Sequence, residues 1–512
     1  MSSNKSQLKS GLILNYINII LGTLIPIFYT PVMLNILGQN EYGLYKLSSG
    51  VTSYLSLMSL GIGSAVTRYL IKANIEKGKE EEERVLGLFM ITFQVIAVLT
   101  FIIGMILTLN LEVFYGESLS VNEISRMKIL VFLMVCQVTL SFLVSPYMAI
   151  VNAHEKFVFL QICNIITTSV VPIANLVALF MGFASIGMAV SSLSLSLIIN
   201  IVYLTYVRKS IRIKAKFRNM PTYLIKEILI FSFWIFLSNV VNQLYNMTDT
   251  ILIGAIPSLA TAGVAVYNVG TVFNNIVFQA TTGISTLFAP KSQKLVFLGA
   301  TSTQLTDLAI RLGRIQCYII TLIVTGFIAF GKPFINLYAG AGYEDSYWVA
   351  ILMMIPNTIS LVQSVCLNIV VAENKHRFRS IVYLFIAIIN VVGSWYMMKI
   401  MGVIGAALVT GIALIIGPGL LMNWYYWKKI KLEIGRFWKE LSPIMIVPLI
   451  MCILTLLLSK MIDFYCLPIM LIGIVSYTLI YCLMQWKLNF NNFEKSLILS
   501  PIKKVYNKLF NK

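Results

Sequence analysis

A row of polar side chains that ends in one acid interrupts an apolar stretch at residues 227–254. Asn239, Asn242, Asn246 and Asp249 recur at spacings of three, four and three, so on a helix they share one face. A charge at the centre of a membrane helix costs roughly 2.5–3.5 kcal/mol on insertion scales, so such a face turns towards protein or a water-filled cavity. There an acid can bind a cation, carry a proton or pair with a basic residue. We therefore take Asp249 as the candidate ion-coupling residue.

Similar polar rows in other apolar stretches give further candidates for lining such a cavity. Arg68 and Lys46 are the basic residues that could pair with Asp249, although Arg68 near a helix end could instead extend to the membrane interface. Ser, Thr and Asn also serve ordinary helix packing in membranes, and that alternative stays open. The predicted cavity-lining residues are Asn15, Asn18, Lys46, Ser49, Thr52, Arg68, Asn239, Asn242, Asn246, Asn275 and Gln279.

The composition identifies the elements that position these residues. Of 512 residues, 58% are hydrophobic and 12% are charged, about half the charge of a typical soluble protein. Apolar runs near the length of about 20 residues that crosses a bilayer recur along the chain. The sequence thus predicts an all-α polytopic membrane protein with about 14 transmembrane helices. The predicted spans are 11–37, 44–70, 85–109, 127–152, 157–181, 185–207, 227–254, 262–290, 314–339, 346–372, 379–400, 402–427, 441–460 and 464–486.

The distribution of basic residues predicts the orientation of these spans. The net charge is +19, but the basic residues occupy short loops rather than a separate basic domain, which argues against a nucleic-acid partner. With both termini cytoplasmic, the loop at 208–220 lies inside, as a topology determinant or as a site for lipid phosphate. All but six of the 39 Lys and Arg residues then lie inside; the six are Lys46, Arg126, Lys128, Lys332, Lys399 and Lys460.

Signals for catalysis, metal binding and cofactors are weak. The seven cysteines all fall in apolar runs without a C-x-x-C pair, and no G-x-x-x-x-G-K-[ST] motif is present. An enzyme acting outside the membrane needs paired acid and base residues, and the short outer loops carry only scattered acids. We therefore expect no metal, no cofactor and no enzymatic activity.

An internal repeat indicates two halves of equal orientation. Residues 185–187 (Ser-Ile-Gly) match 403–405 (Val-Ile-Gly), about 218 residues apart, and each follows an outward span and a short polar turn containing His154 or His376. Parallel repeats of this kind are related by an axis along the membrane normal. We predict two six-helix lobes related by a pseudo-two-fold along that axis, with two additional C-terminal helices. The predicted regions are an N-terminal lobe 1–207, a basic linker 208–226, a C-terminal lobe 227–427, and two helices with a basic tail at 428–512.

Several short motifs carry a resemblance to a known family. LGQNEYGLY at 37–45 resembles the L-G-x-x-x-Y-G-x-Y signature of Wzx-type polysaccharide and oligosaccharide flippases. LGIGSAVTRY at 60–69, AVYNVG at 265–270 and FAP at 288–290 are similar to further segments of that family. These flippases belong to the multidrug/oligosaccharidyl-lipid/polysaccharide (MOP) exporter superfamily. Family members often carry an Arg in the apolar run before the signature, where this chain has Asn35.

The resemblance implies a flippase for surface polysaccharide biosynthesis. It would translocate undecaprenyl-pyrophosphate-linked oligosaccharide repeat units across the bacterial cytoplasmic membrane, by alternating access through a central cavity. The implied partners are this lipid-linked substrate, the bilayer, H⁺ or Na⁺, and the polysaccharide polymerase machinery. Four alternatives stay open: an ion-coupled multidrug exporter, a peptidoglycan-precursor flippase, a membrane polymerase or ligase, and a scaffold without transport.

Overall fold

The computed structural model describes residues 2–373, 375, 377–497 and 499, and every regular element within them is helical. The all-α prediction is confirmed. Short 3₁₀ and π segments occur at Tyr54–Ser59, Val207–Ile211 and Ile415–Leu421. The helices are α1 Ser2–Ser53, α2 Ile62–Lys77, α3 Lys79–Leu109, α4 Leu111–Tyr115, α5 Val121–Ala153, α6 Phe157–Phe180, α7 Ala184–Tyr206, α8 Leu224–Gly254, α9 Ala260–Phe297, α10 Ser302–Ala339, α11 Asp345–Val362, α12 Ser364–Ala372, α13 Arg377–Leu414, α14 Met422–Lys428, α15 Ile434–Leu458 and α16 Leu467–Leu488.

Eleven helical stretches of the described residues are long and apolar enough to cross a membrane. Two of these stretches, Ile13–Ser59 and Phe378–Lys428, contain a residue with non-helical backbone angles, Gly38 or Gly402, and so consist of two helices joined at a kink. Helix α9 is long but lies outside the eleven. Each predicted span coincides with helical structure, and the count of fourteen stays a prediction.

Two predicted spans are broken rather than continuous. The span predicted at 44–70 changes to a 3₁₀ helix and then turns at Leu60 and Gly61, both with positive φ. Gly61 is required there because a Cβ atom would lie 2.7 Å from the carbonyl oxygen of Ser232 in α8. The span predicted at 346–372 is interrupted at Gln363, between α11 and α12.

A recurring backbone conformation supports the internal repeat. Ala184 and Gly402, which occupy matching positions in the two repeat segments, have φ values of 49° and 61°. Gly38 and Ala260 have φ values of 72° and 44°, and each begins a segment that ends in Tyr seven residues later. Glycine adopts positive φ freely, but at Ala184 and Ala260 such backbone costs roughly 1–2 kcal/mol, so its recurrence at these two helix starts is a specific structural feature.

Contacts between Cα atoms divide the chain into two compact units. The first unit comprises Met1–Asn268 with Tyr383–Ala406, and its buried core lies among α2, α3 and α5. The second unit comprises Val269–Val382 with Ala407–Lys512, and α10 packs there against α11, α15 and α16. Helix α8 packs on α1 and α2 within the first unit. The predicted lobe boundaries differ from these units and stay a prediction.

Candidate functional site

Asp249 lies near the end of α8, in the first unit, and only 1% of the residue is exposed. Its Oδ2 atom accepts a hydrogen bond of 2.6 Å from the hydroxyl of Tyr267, a fully buried residue of α9. Next to it, Asn268 Nδ2 donates to Thr250 Oγ1 at 3.3 Å. A hydrogen bond to a charged acceptor is among the stronger kinds in proteins, so α9 holds the acid in place.

Helix α1 and the 3₁₀ segment close the other side of this cluster. The hydroxyl of Tyr54 hydrogen-bonds to Thr248 Oγ1 and donates to the carbonyl oxygen of Gln243 at 3.3 Å. The side-chain amide of Gln243 donates to the hydroxyl of Ser53. These hydrogen bonds connect α1 and the 3₁₀ segment to the end of α8 that carries the acid. We call Tyr54, Gln243, Thr248, Asp249 and Tyr267 the Asp249 cluster.

The predicted polar face of α8 changes its environment along the helix. Asn239, Asn242 and Asn246 are exposed, whereas Asp249 is buried. The Asn246 amide donates to the carbonyl oxygen of Asn242 at 2.8 Å. The row of amides is therefore open for about two helical turns and ends in a closed cluster. In this conformation Asp249 does not line an open cavity.

The two basic candidates have aromatic neighbours. The guanidinium of Arg68 is exposed and lies 4.6 Å from the ring centroid of Phe231, and Lys46 Nζ lies 5.5 Å from the ring centroid of Tyr42. Among the ion pairs of the described residues, neither is joined to Asp249. The expected pairing is therefore absent from this conformation, and cation–π contacts hold both side chains instead.

Two candidates in the first half take part in helix packing. Asn18 Oδ1 accepts a hydrogen bond of 2.9 Å from Thr168 Oγ1, which links α1 to α6. Thr52 is buried, and its hydroxyl donates to the carbonyl oxygen of Ser48 at 2.9 Å and contacts the sulfur of Met134 at 3.5 Å. In this conformation the hydroxyl of Thr52 is therefore satisfied inside the helix packing, and its role in lining a cavity stays a prediction.

The remaining four candidates are partly or fully accessible. Asn15 and Gln279 are half-buried, and Ser49 and Asn275 are exposed. Asn15 and Ser49 belong to the first unit, and Asn275 and Gln279 belong to the second. The candidate residues are thus distributed over both units.

The second unit contains a buried ion pair that sequence reasoning missed. Arg314 on α10 donates from Nε to Glu494 Oε1 at 2.7 Å and from Nη2 to the carbonyl oxygen of Asn489 at 2.7 Å. Glu494 and Arg314 are only 4% and 9% exposed. The pair fixes the segment after α16 against α10. No local signal predicts it, because the two residues are separated by most of the second half.

Tyr267 was missed as well, although its segment was noted. It lies within AVYNVG at 265–270, where it reads as one apolar residue among others. Tyr267 lies on a different helix from the predicted polar row, so the sequence does not show that it donates to Asp249. A buried tyrosine usually finds a hydrogen-bond partner, and this is the one signal that could have drawn attention to it.

Histidine, cysteine and acidic side chains are the residues that could hold a metal ion. Among the described residues, no three His, Cys, Asp or Glu side chains come together as a metal site. The seven cysteines are free; Cys466, at the N-cap of α16, and Cys482, within α16, are exposed. The position of His376 lies outside the described residues.

Solved structures define the class of this fold. The chain aligns with "Lipid II flippase MurJ, inward closed conformation" at a TM-score of 0.72 and 18% identity, covering 93% of this chain and 98% of that chain. It aligns with an inward-facing multidrug resistance MATE family transporter of the MOP superfamily at 0.60 and 11%, covering 83% and 99%. The Vibrio cholerae MATE transporter VcmN in the bent form gives 0.55 and 15%, covering 86% and 99%. The protein shares the fold of these flippase and transporter structures.

The family follows from the sequence itself. Residues 8–288, more than half of the chain, match the family described as "Polysaccharide biosynthesis protein". The chain belongs to this polysaccharide biosynthesis protein family, which confirms the family resemblance stated from the sequence motifs. No protein in the curated collection matches the sequence.

Proposed function

We propose that the protein is a flippase that translocates undecaprenyl-pyrophosphate-linked oligosaccharide repeat units across the bacterial cytoplasmic membrane. The family match and the likeness to the fold of a lipid II flippase support a lipid-linked substrate. The observation that carries the proposal is the exposed row Asn239, Asn242 and Asn246, which runs along α8 to the buried acid Asp249. An exposed amide row on a membrane-spanning helix has a use only where it meets a polar ligand or water.

The amide row has the hydrogen-bonding capacity that a sugar requires. Each asparagine side chain offers two donors and one acceptor oxygen, and a sugar hydroxyl is both donor and acceptor. The lipid tail would remain in the bilayer while the sugar passes along this face. Alternating access then requires a movement of the helices that line the path.

The Asp249 cluster is the candidate device that couples this movement to an ion. Residues of α8, α9 and the 3₁₀ segment meet there, so a shift of any of these elements changes the surroundings of the carboxylate. Exchange of H⁺ or Na⁺ at Asp249 would favour one arrangement of the helices over another. We propose that both termini are cytoplasmic and that the polysaccharide polymerase machinery takes up the product outside.

The decisive experiment uses cells that lack this protein. We expect undecaprenyl-linked oligosaccharide to accumulate on the inner leaflet and surface polysaccharide to be lost, with full restoration by the wild type. Asp249→Asn should restore less polymer and abolish ion dependence. The exposed Glu117→Gln is the matched control and should restore polymer fully. A deletion strain with normal lipid-linked oligosaccharide and normal surface polymer would refute the flippase proposal.

An ion-coupled exporter of small molecules is the second candidate. The likeness to two MATE transporter structures favours it. In the same deletion strain, this function predicts normal surface polymer and reduced export of cationic drugs. A peptidoglycan-precursor flippase, which the likeness to MurJ supports, predicts accumulation of lipid II instead.

A further inference from the structure

A pocket in the second unit lies apart from the Asp249 cluster. It consists of two cavities of about 200 and 470 Å³ that share Lys332, Tyr347 and Tyr465. Its walls come from the end of α10, the start of α11 and the loop between α15 and α16. We call it the Lys332 pocket. The larger cavity alone is in the size range of small-ligand sites in proteins, about 300–1,000 Å³.

The aromatic side chains of the pocket hold its central lysine. Lys332 Nζ lies 5.3 Å from the ring centroid of Trp348 and 5.4 Å from that of Tyr347. These cation–π contacts fix the ammonium group before any ligand arrives. Trp348 is 46% exposed and Tyr465 is 53% exposed, so both offer ring surface to a ligand.

Hydrogen-bond donors and hydrogen-bond acceptors both line the pocket around these rings. Asn336, Glu344 and Asp345 line the smaller cavity, and Lys460 and Asp463 line the larger one. Two of the carboxylates are held in position by hydrogen bonds from backbone N–H groups of their own loops. Glu344 Oε1 accepts from the Gly342 N–H at 3.2 Å, and Asp463 Oδ1 accepts from the Tyr465 N–H at 2.9 Å.

This combination selects one class of ligand. Three carboxylates outnumber the two lysines, which disfavours a phosphate or another anion. A sugar instead presents hydroxyls that both donate and accept hydrogen bonds, and apolar C–H faces that pack on aromatic rings. Tryptophan and tyrosine also form belts at membrane interfaces, but a belt does not require a concave site with a fixed lysine.

We propose that the Lys332 pocket is a saccharide-binding site. The predicted orientation puts Lys332 and Lys460 on the outer side of the membrane. The pocket would then receive the sugar portion of the substrate after translocation. This last step rests on the proposed function, whereas saccharide binding by the pocket does not.

Binding of oligosaccharides by the purified full-length protein tests the proposal. The probe is a glycan array of neutral and amino-sugar oligosaccharides, applied to protein in phosphatidylcholine nanodiscs. We expect the wild type to bind at least one class, and Trp348→Ala or Tyr465→Ala to weaken that binding about tenfold or more, as expected when a stacking contact is lost. Trp427→Ala, another exposed tryptophan of the same unit, should bind like the wild type.

Further variants separate the role of the pocket from a folding defect. Trp348→Phe keeps an aromatic ring and should retain most of the binding, with an unchanged unfolding temperature. The proposal is overturned if no oligosaccharide class binds the wild type, or if the pocket variants bind like Trp427→Ala. Retention of co-purified phosphatidylglycerol that depends on Trp348, without glycan binding, would also overturn it and would assign the pocket to a phospholipid headgroup.

The binding result and the flippase proposal fail independently. If deletion cells show no accumulation of lipid-linked oligosaccharide but the array result stands, the flippase proposal fails and the saccharide site remains. If the deletion phenotype is present and the pocket variants bind normally, only the saccharide site fails.

Discussion

Asp249 in the first unit and Glu494 in the second are both buried acids, but their partners differ in charge. Glu494 meets the guanidinium of Arg314 at 2.7 Å, which is a full ion pair. Asp249 accepts a hydrogen bond of 2.6 Å from the neutral hydroxyl of Tyr267. Removing one member of a buried ion pair strands a charge, whereas a hydroxyl can donate either to a carboxylate or, more weakly, to a neutral carboxamide. The comparison separates an acid that fastens two segments from an acid whose neutral partner is compatible with the ion exchange proposed above.

The largest expected effect comes from breaking the ion pair. Arg314→Ala leaves Glu494 buried without its cation and should lower the free energy of unfolding by about 3–5 kcal/mol. Chemical unfolding in detergent measures this change. The control is Arg436→Ala, which removes exposed pairs with Asp307 at 2.7 Å and with Glu433 at 3.2 Å and should cost far less. Equal costs for the two variants would show that the buried pair does not fasten the segment.

A smaller loss should follow when Asp249 loses its hydroxyl donor. Tyr267→Phe removes the hydrogen bond but keeps the ring, and should lower the free energy of unfolding by about 1–3 kcal/mol. The same unfolding measurement applies, with Tyr396→Phe at an exposed position as the control. A cost no greater than that of the control would mean that α9 does not hold the acid through this contact.

Replacing the acid by its amide should disturb the fold least among the buried changes. Asp249→Asn keeps the shape and lets the Tyr267 hydroxyl donate to an amide oxygen, so we expect a stability change within about 1 kcal/mol. The stable variant should nevertheless lose the ion dependence of transport. Destabilisation as large as that of Arg314→Ala would make Asp249 a structural acid and remove the contrast with Glu494.

The smallest effect on stability should come from removing a hydrogen bond to the partly exposed acid Glu433. The hydroxyl of Thr303 donates to Glu433 Oε1 at 2.8 Å and, with Arg436, holds the pKa of that carboxyl below its usual value. A lowered folded-state pKa stabilises the fold above the unfolded pKa of about 4.3, and the contribution disappears as pH falls through the folded value. The free energy of unfolding of Thr303→Ala should therefore be slightly lower than that of the wild type at neutral pH and equal to it in strong acid. An unfolding difference that persists in acid would contradict this assignment.

The sequence predicted the helical segments because their signal is local. A run of apolar residues reports a membrane helix from its own length, and the spacing of Asn239, Asn242 and Asn246 reports a shared face. The predicted boundary between the spans 379–400 and 402–427 likewise coincides with the kink at Gly402. In each case the residues that carry the information are neighbours along the chain or on one helix.

Contacts between distant segments lay beyond such reasoning. The pairing of Arg68 with Asp249 was predicted from charge alone. In the structure Arg68 stacks on Phe231, and Asp249 instead accepts a hydrogen bond from Tyr267. Thr52 looked like part of a polar row, and its burial depends on the position of α5. Spacing shows which residues share a face but not which neighbouring helix covers it.

The exposed Cys466 provides the protein with a built-in chemical tag. It precedes α16 next to Tyr465, in a loop, whereas the exposed Cys482 lies within the apolar helix itself. If the loop faces outwards, a membrane-impermeant maleimide added to intact cells should therefore react with the native thiol of Cys466 at this end of α16. Labelling of the unaltered chain, abolished by Cys466→Ser, would give its orientation without any engineered cysteine. A bound saccharide in the neighbouring pocket would slow the same reaction, so a single thiol reports on both topology and occupancy.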